Sequence, residues 1–168
     1  MFVVFLVQLF IKGFTELFLL DANSVLQFWR FFTAIFLHGD FAHLLYNLFA
    51  LALFGSMLER LIGSRKFILV FFVTGILANI FSVNFYDFSL GASGAIFGII
   101  GALIVVRPLM IVWAFGLPMP LIFAGILWAV GDAIGIFMPS NVANLAHLSG
   151  MFFGLIFGAL YRKRALRI

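Results

Sequence analysis

Between Phe67 and Tyr161 the chain carries only three charged side chains, Asp87, Arg107 and Asp132. Apolar stretches of this length constrain the fold more than any other feature. A helix needs about 20 apolar residues to cross about 30 Å of hydrocarbon. The remaining composition agrees: 65% of the 168 residues are hydrophobic and 10% are charged, against about 25% charged in a soluble domain. A soluble fold of this size could not hide so much apolar surface, so lipid is the expected solvent. The length suits one domain, covering 1–168.

Six spans are expected, over roughly 2–20, 41–58, 67–83, 92–106, 120–137 and 142–161, giving an all-α, polytopic six-helix membrane bundle. The first is too long for a signal-peptide core and lacks a small-residue cleavage site after it, so it reads as a retained span. Pro118 and Pro120 keep the fifth span from starting earlier, because proline lacks an amide donor and restricts its predecessor. The piece 109–117 is then a connector, lying at the interface with Trp113 as an anchor. Lys12 and Glu16 sit four apart inside span one and are expected to pair on one helical face.

The basic residues sort to one side. Arg60, Arg65 and Lys66 follow span two, Arg107 follows span four, and Arg162, Lys163, Arg164 and Arg167 follow span six. The other side holds Arg30 with Asp21, Asp40, Asp87 and Asp132. The positive-inside rule then places both termini in the cytoplasm. This topology accounts for the net charge of +4 without nucleic acid. With no cysteine, neither a disulfide framework nor a thiolate site exists. The chain reads as a minimal, prokaryotic-style core in a cell membrane.

Chemistry concentrates at one depth. From Ser93 to Val106 the fourth span has 14 residues, roughly 21 Å of helix, short of the hydrocarbon thickness. It therefore starts below the outer surface, and loop 84–91 must dip inward to reach it. Non-helical backbone at that depth is tolerated only inside protein or beside water. Ser93 is thus expected at the floor of a wet cavity. Gly91, Gly94, Gly98 and Gly101 form one stripe on span four; Ala143, His147, Gly150, Gly154 and Gly158 form another on span six. Small-residue stripes let membrane helices approach closely. Docking stripe on stripe brings Ser93 and His147 together, and His43 and Asn47 on span two reach the same outer third.

Each signal has an ordinary reading. A lone G-x-S-G string is weak, and membrane Ser, His and Asn usually serve as interhelical glue. Their convergence argues for catalysis. No H-E-x-x-H or cysteine supports a zinc site. A proton-coupled transporter would need buried carboxylates, which are scarce; Asp132, near the outer end of span five, is the only mid-to-late candidate.

At these residues the chain resembles the rhomboid family over nearly its whole length. Trp29-Arg30 is similar to the family's loop-one signature, and His38-Gly39-x3-His43-x3-Asn47 to its second-span motif. Gly55-x3-Glu59-Arg60 is similar to the ending of that span, Gly91-Ala92-Ser93-Gly94 to the serine motif, and Ala146-His147-x2-Gly150-x3-Gly154 to the histidine motif. The resemblance implies a six-span serine endopeptidase that cleaves transmembrane segments of other proteins, with a Ser93–His147 dyad and no cofactor. It implies His43 and Asn47 as oxyanion donors beside the Ser93 amide, substrate admission beside spans two and five, and a preference for small residues at the cut. Many relatives carry Tyr four residues after the serine; here Phe97 stands there and can still pack on the histidine ring. No carboxylate lies at helical spacing from His147, and Asn144 is a poor substitute, so a dyad rather than a triad is expected. The alternatives are a non-catalytic rhomboid-like protein that binds other spans and a small transporter. No motif sets the oligomeric state.

Overall fold

The structure is a computed structural model that describes residues 1–138 and 142–165, without the side chains of 163–165. Arg167 and the side chains of Lys163 and Arg164 therefore lie outside the described residues. Helix α1 (Phe2–Phe10) and α2 (Phe14–Phe18) are followed by two short 3₁₀ turns flanking α3 (Arg30–Thr33). Then α4 (Phe41–Ala50) runs through a π turn at Leu51–Gly55 into α5 (Ser56–Ile62), and α6 covers Ser64–Ser82. Next come α7 (Ser93–Val106), a hairpin of β1 (Ile111–Ala114) and β2 (Leu117–Pro120), α8 (Leu121–Gly135) and α9 (Asn144–Ala165). Among the described residues three helices are long and apolar enough to cross a membrane: Phe41–Ile62, Ser64–Ser82 and Asn144–Arg162. Two shorter apolar helices, Ser93–Val106 and Leu121–Gly135, accompany them.

The expected span over 2–20 is broken. Helix α1 stops after 9 residues, roughly 14 Å. Ile11 is extended and Gly13 adopts φ 81°, a left-handed conformation that suits glycine. The break separates Lys12 from Glu16: both are exposed, and among the described residues no ion pair joins them. The polar work at this end falls to Gln8. Its amide donates to Thr15 Oγ1 (3.0 Å) and to the His38 carbonyl (3.2 Å), and its oxygen accepts from the His38 amide (3.1 Å).

The connector after α7 is not featureless, so the fold is helical with one small sheet. Strands β1 and β2 pair antiparallel from Ile111 opposite Pro120 to Ala114 opposite Leu117. Phe115 (φ 54°) and Gly116 (φ 78°) make the two-residue turn, whose positive φ values match the twist of a hairpin. Pro118 and Pro120 are tolerated because both strands are edges. Val112 and Ala114 are buried, whereas Ile111, Trp113 and Phe115 are exposed.

Helices α7 and α9 form the centre, and their small-residue stripes interlock as expected. A Cβ on Gly150 would lie 2.9 Å from the Gly94 carbonyl carbon, one on Gly154 2.7 Å from that of Gly98, and one on Gly158 2.9 Å from Ala102 Cα. The steps advance together along both helices, so the pair is parallel. On its other flank Gly94 meets α6, where a Cβ would come 2.7 Å from Ala78 Cβ.

Candidate active site

The segment leading to Ser93 is tied to neighbouring elements at Ser89 and Gly91. Ser89 N–H donates to Leu20 O (2.7 Å), Leu20 N–H to Ser89 O (3.1 Å), and Gly91 N–H to Ala34 O (2.9 Å). The Ser89 hydroxyl donates to Asn79 Oδ1 (3.3 Å), and Asn79 Nδ2 to Phe31 O (2.9 Å). These bonds satisfy polar groups of the part of the loop nearest the helices. The loop-one wall is itself pinned by buried Arg30, which donates to the carbonyls of Glu16 and Leu19 (2.8 Å each) and to Gln27 Oε1 (2.7 Å).

Ser93 is the first residue of α7, where backbone amides lack intrahelical partners and the helix dipole is positive. Gly91 precedes it with φ 117°. A Cβ there would lie 2.7 Å from His43 Cε1 and Nε2, so glycine is what lets the loop pass against that ring. His43 comes from the first turn of α4, which Asp40 caps by accepting from the His43 amide (2.8 Å). One turn on, Asn47 Nδ2 donates one hydrogen to the His43 carbonyl (3.0 Å); an amide carries a second. The buried ring of His38 meets His43 edge-on, with centroids 5.0 Å apart. Burial first, and the neighbouring His43 second, lower the His38 pKa to about 4.

His147 arrives from α9, whose first turn is tied down by Leu145 N–H donating to Tyr86 Oη (2.9 Å). Its imidazole lies flat on Phe97, centroids 4.2 Å apart and planes 5° from parallel. The departure from the usual Tyr thus keeps the stack. Ser93, His147, His43 and Asn47, drawn from three elements, line a single cavity of about 710 Å³. Gly91, Gly94, Gly150 and Gly154 set the approach of those elements. The four residues expected to carry the chemistry thus border one cavity, with Phe97 among its lining.

One neighbour is new. His147 Nδ1 lies 3.0 Å from Asp132 Oδ1, a carboxylate contributed by α8. Among the described residues the ring's hydrogen bond goes there, and none links it to Ser93. Helical spacing from His147 could not reveal a partner on another helix. The available signal was that Asp132 is the one charged residue between Arg107 and Arg162, and lone intramembrane carboxylates mark function. Among the described residues no group of three or more His, Asp or Glu is placed to hold a metal ion.

A family model described as the Rhomboid domain matches residues 25–164. The chain is 36% identical to the rhomboid protease GluP of Bacillus subtilis over 137 residues, which are 79% of this chain and 26% of that protein. It is 34% identical to the putative rhomboid protease YdcA of Bacillus subtilis over 140 residues, 80% of this chain and 67% of that protein. With the rhomboid protease GlpG of Yersinia pseudotuberculosis it shares 27% identity over 144 residues, 81% of this chain and 49% of that protein. It thus spans between about a quarter and two thirds of the length of these relatives. Resting on a match over most of its length and on apolar helices that suit a bilayer, the chain belongs to the rhomboid family.

Proposed function

We propose that this protein is an intramembrane serine endopeptidase that cuts transmembrane segments of other membrane proteins. The reading is carried by one observation: Ser93 at the start of α7 and His147 on the neighbouring α9 line the same cavity. Ser93 Oγ is the nucleophile. His147 Nε2, the ring nitrogen turned away from Asp132, takes its proton and returns it to the leaving amine. As Oγ attacks the scissile carbonyl, the oxyanion is met by the Ser93 amide, the free N–H of Asn47 Nδ2 and the His43 ring. Collapse expels the amine and leaves an acyl-serine, which water hydrolyses with His147 again as base. In the free enzyme, catalytic hydrogen bonds are often long and tighten only with substrate bound.

The membrane arrangement belongs to the same proposal: six spans, the first being the broken stretch α1–α2 and the second α4–α5, with both termini in the cytoplasm. The cavity then opens towards the acidic, outer side, where water reaches it.

The test is cleavage of a labelled single-span substrate by purified protein in detergent or liposomes, beside Ser93→Ala and His147→Ala. Cleavage that needs both residues is expected, together with Ser93-dependent labelling by a fluorophosphonate. Substrate binding with equal cleavage by wild type and Ser93→Ala would overturn it.

A further inference from the structure

We propose that Asp132 is a positioning residue for His147, holding the imidazole in the one orientation and tautomer that can accept a proton from Ser93. This rests on the peptidase reading and adds a third member to the pair. The need for it comes from symmetry. Stacking on Phe97 at 4.2 Å and 5° fixes the plane of the ring. It does not fix which edge faces the serine, because a half-turn of the imidazole keeps the same plane and exchanges nitrogen for carbon at each position. A hydrogen bond from one nitrogen removes that ambiguity. The Nδ1–Oδ1 distance of 3.0 Å supplies it.

The chemistry of the partner decides the tautomer. An ionised carboxylate only accepts, so Nδ1 carries the hydrogen and Nε2 keeps its lone pair for use as a base. Both side chains are nearly withdrawn from solvent, His147 at 13% and Asp132 at 10% exposure. In such surroundings a charged hydrogen bond is stronger than it would be in water. When His147 becomes an imidazolium, the carboxylate stabilises it. The groups facing the ring are Asp132 from α8, Phe97 from α7 and, across the cavity, His43 and Asp40 from the start of α4. Of the two carboxylates, Asp132 is the one in contact.

Helix α8 meets α9 closely beside the carboxylate. One turn beyond Asp132, Gly135 packs so closely on α9 that a Cβ would lie 2.7 Å from the Asn144 side chain. Asp132 Oδ2 is buried and without a partner among the described residues. That is a costly state for a carboxylate serving only to glue helices.

The experiment compares wild type with Asp132→Asn and Asp132→Leu in detergent, reading kcat and KM separately, melting temperature, and the ring proton of His147 by NMR of ¹⁵N-histidine-labelled protein. A positioning role lowers kcat by at least about tenfold in Asp132→Asn, leaving KM and melting temperature within error. In wild type the Nδ1–H proton is strongly deshielded, and in Asp132→Leu that signal disappears. Either kcat within about twofold of wild type, or a loss matched by a fallen melting temperature, or a deshielded proton that survives Asp132→Leu, overturns the proposal. If wild-type protein shows no Ser93-dependent turnover, the peptidase reading fails on its own. The NMR comparison then still decides whether Asp132 orients the ring.

Discussion

Asn47 shows how little freedom a side chain has at this site. One amide hydrogen is committed to its own helix at His43 O, 3.0 Å away, and the other is left for the cavity. Asn47→Ala removes a donor aimed at developing charge, and loss of one such donor elsewhere costs roughly 10²–10³ in kcat. A fall of that order with an unchanged melting temperature is expected, and full activity in the variant would mean the oxyanion lies elsewhere. His38 supplies a different test. Its pKa falls from 6.5 to about 4 because the ring is buried, so the folded state binds its proton less readily than the unfolded state. Stability from this residue is complete above about pH 6.5, declines as pH falls towards 4, and levels off below that, a change of roughly 3 kcal/mol at most. Melting in detergent across that window is expected to be less steep in pH for His38→Phe; identical slopes would remove His38 as the cause. Asn47 could be found in the sequence because it sits one helical turn from His43, and His38 because the chain has only three histidines. Asp132 could not be matched to His147 in the same way, because contact between side chains of separate helices leaves no periodic trace.

At the scale of elements, legibility followed the physics of each signal. The α7–α9 docking was readable because close approach in lipid demands small residues at every turn of the contact, and the glycines recur accordingly. The break in α1 was not, because hydropathy registers apolar length and ignores backbone conformation. Gly13 at φ 81° ends a stretch that composition alone would continue. The hairpin was missed for a related reason: nine apolar residues fit a buried strand or a helix piece equally, and two prolines look like breakers unless the strands are edges. The docking can be probed directly. Gly150→Val pushes a branched side chain against the Gly94 backbone, where even a Cβ would stand 2.9 Å from the carbonyl carbon. Overpacking of this kind costs about 1–3 kcal/mol or more, and a lowered melting temperature with lost turnover is expected. Gly131 is the control, since a Cβ there meets nothing within 4 Å. Gly131→Ala is expected to melt at or slightly above wild type, and a loss equal to that of Gly150→Val would show that contact between α7 and α9 is not the reason.

For the whole molecule, the two ends differ in charge, and contacts between distant segments fix which groups share an end. The Leu20–Ser89 bridge brings Asp21 and Asp87 to the end where the cavity opens. At the opposite end Lys66 Nζ lies 4.6 Å over the Tyr161 ring, so the start of α6 meets the finish of α9 among Arg60, Arg65 and Arg162. Basic side chains resist translocation, and the proposed topology turns that end towards the cytoplasm. In that topology the cavity takes its water from the outer side. The absence of native cysteine makes the orientation measurable. Asp87 and Arg65 are both exposed, so Asp87→Cys and Arg65→Cys each offer a thiol at opposite ends without disturbing the core. In intact cells a membrane-impermeant maleimide is expected to label the Asp87→Cys protein and to reach Arg65→Cys only after the membrane is opened. The reverse pattern would turn the molecule over, placing the cavity in the cytoplasm and requiring a substrate cut on that side.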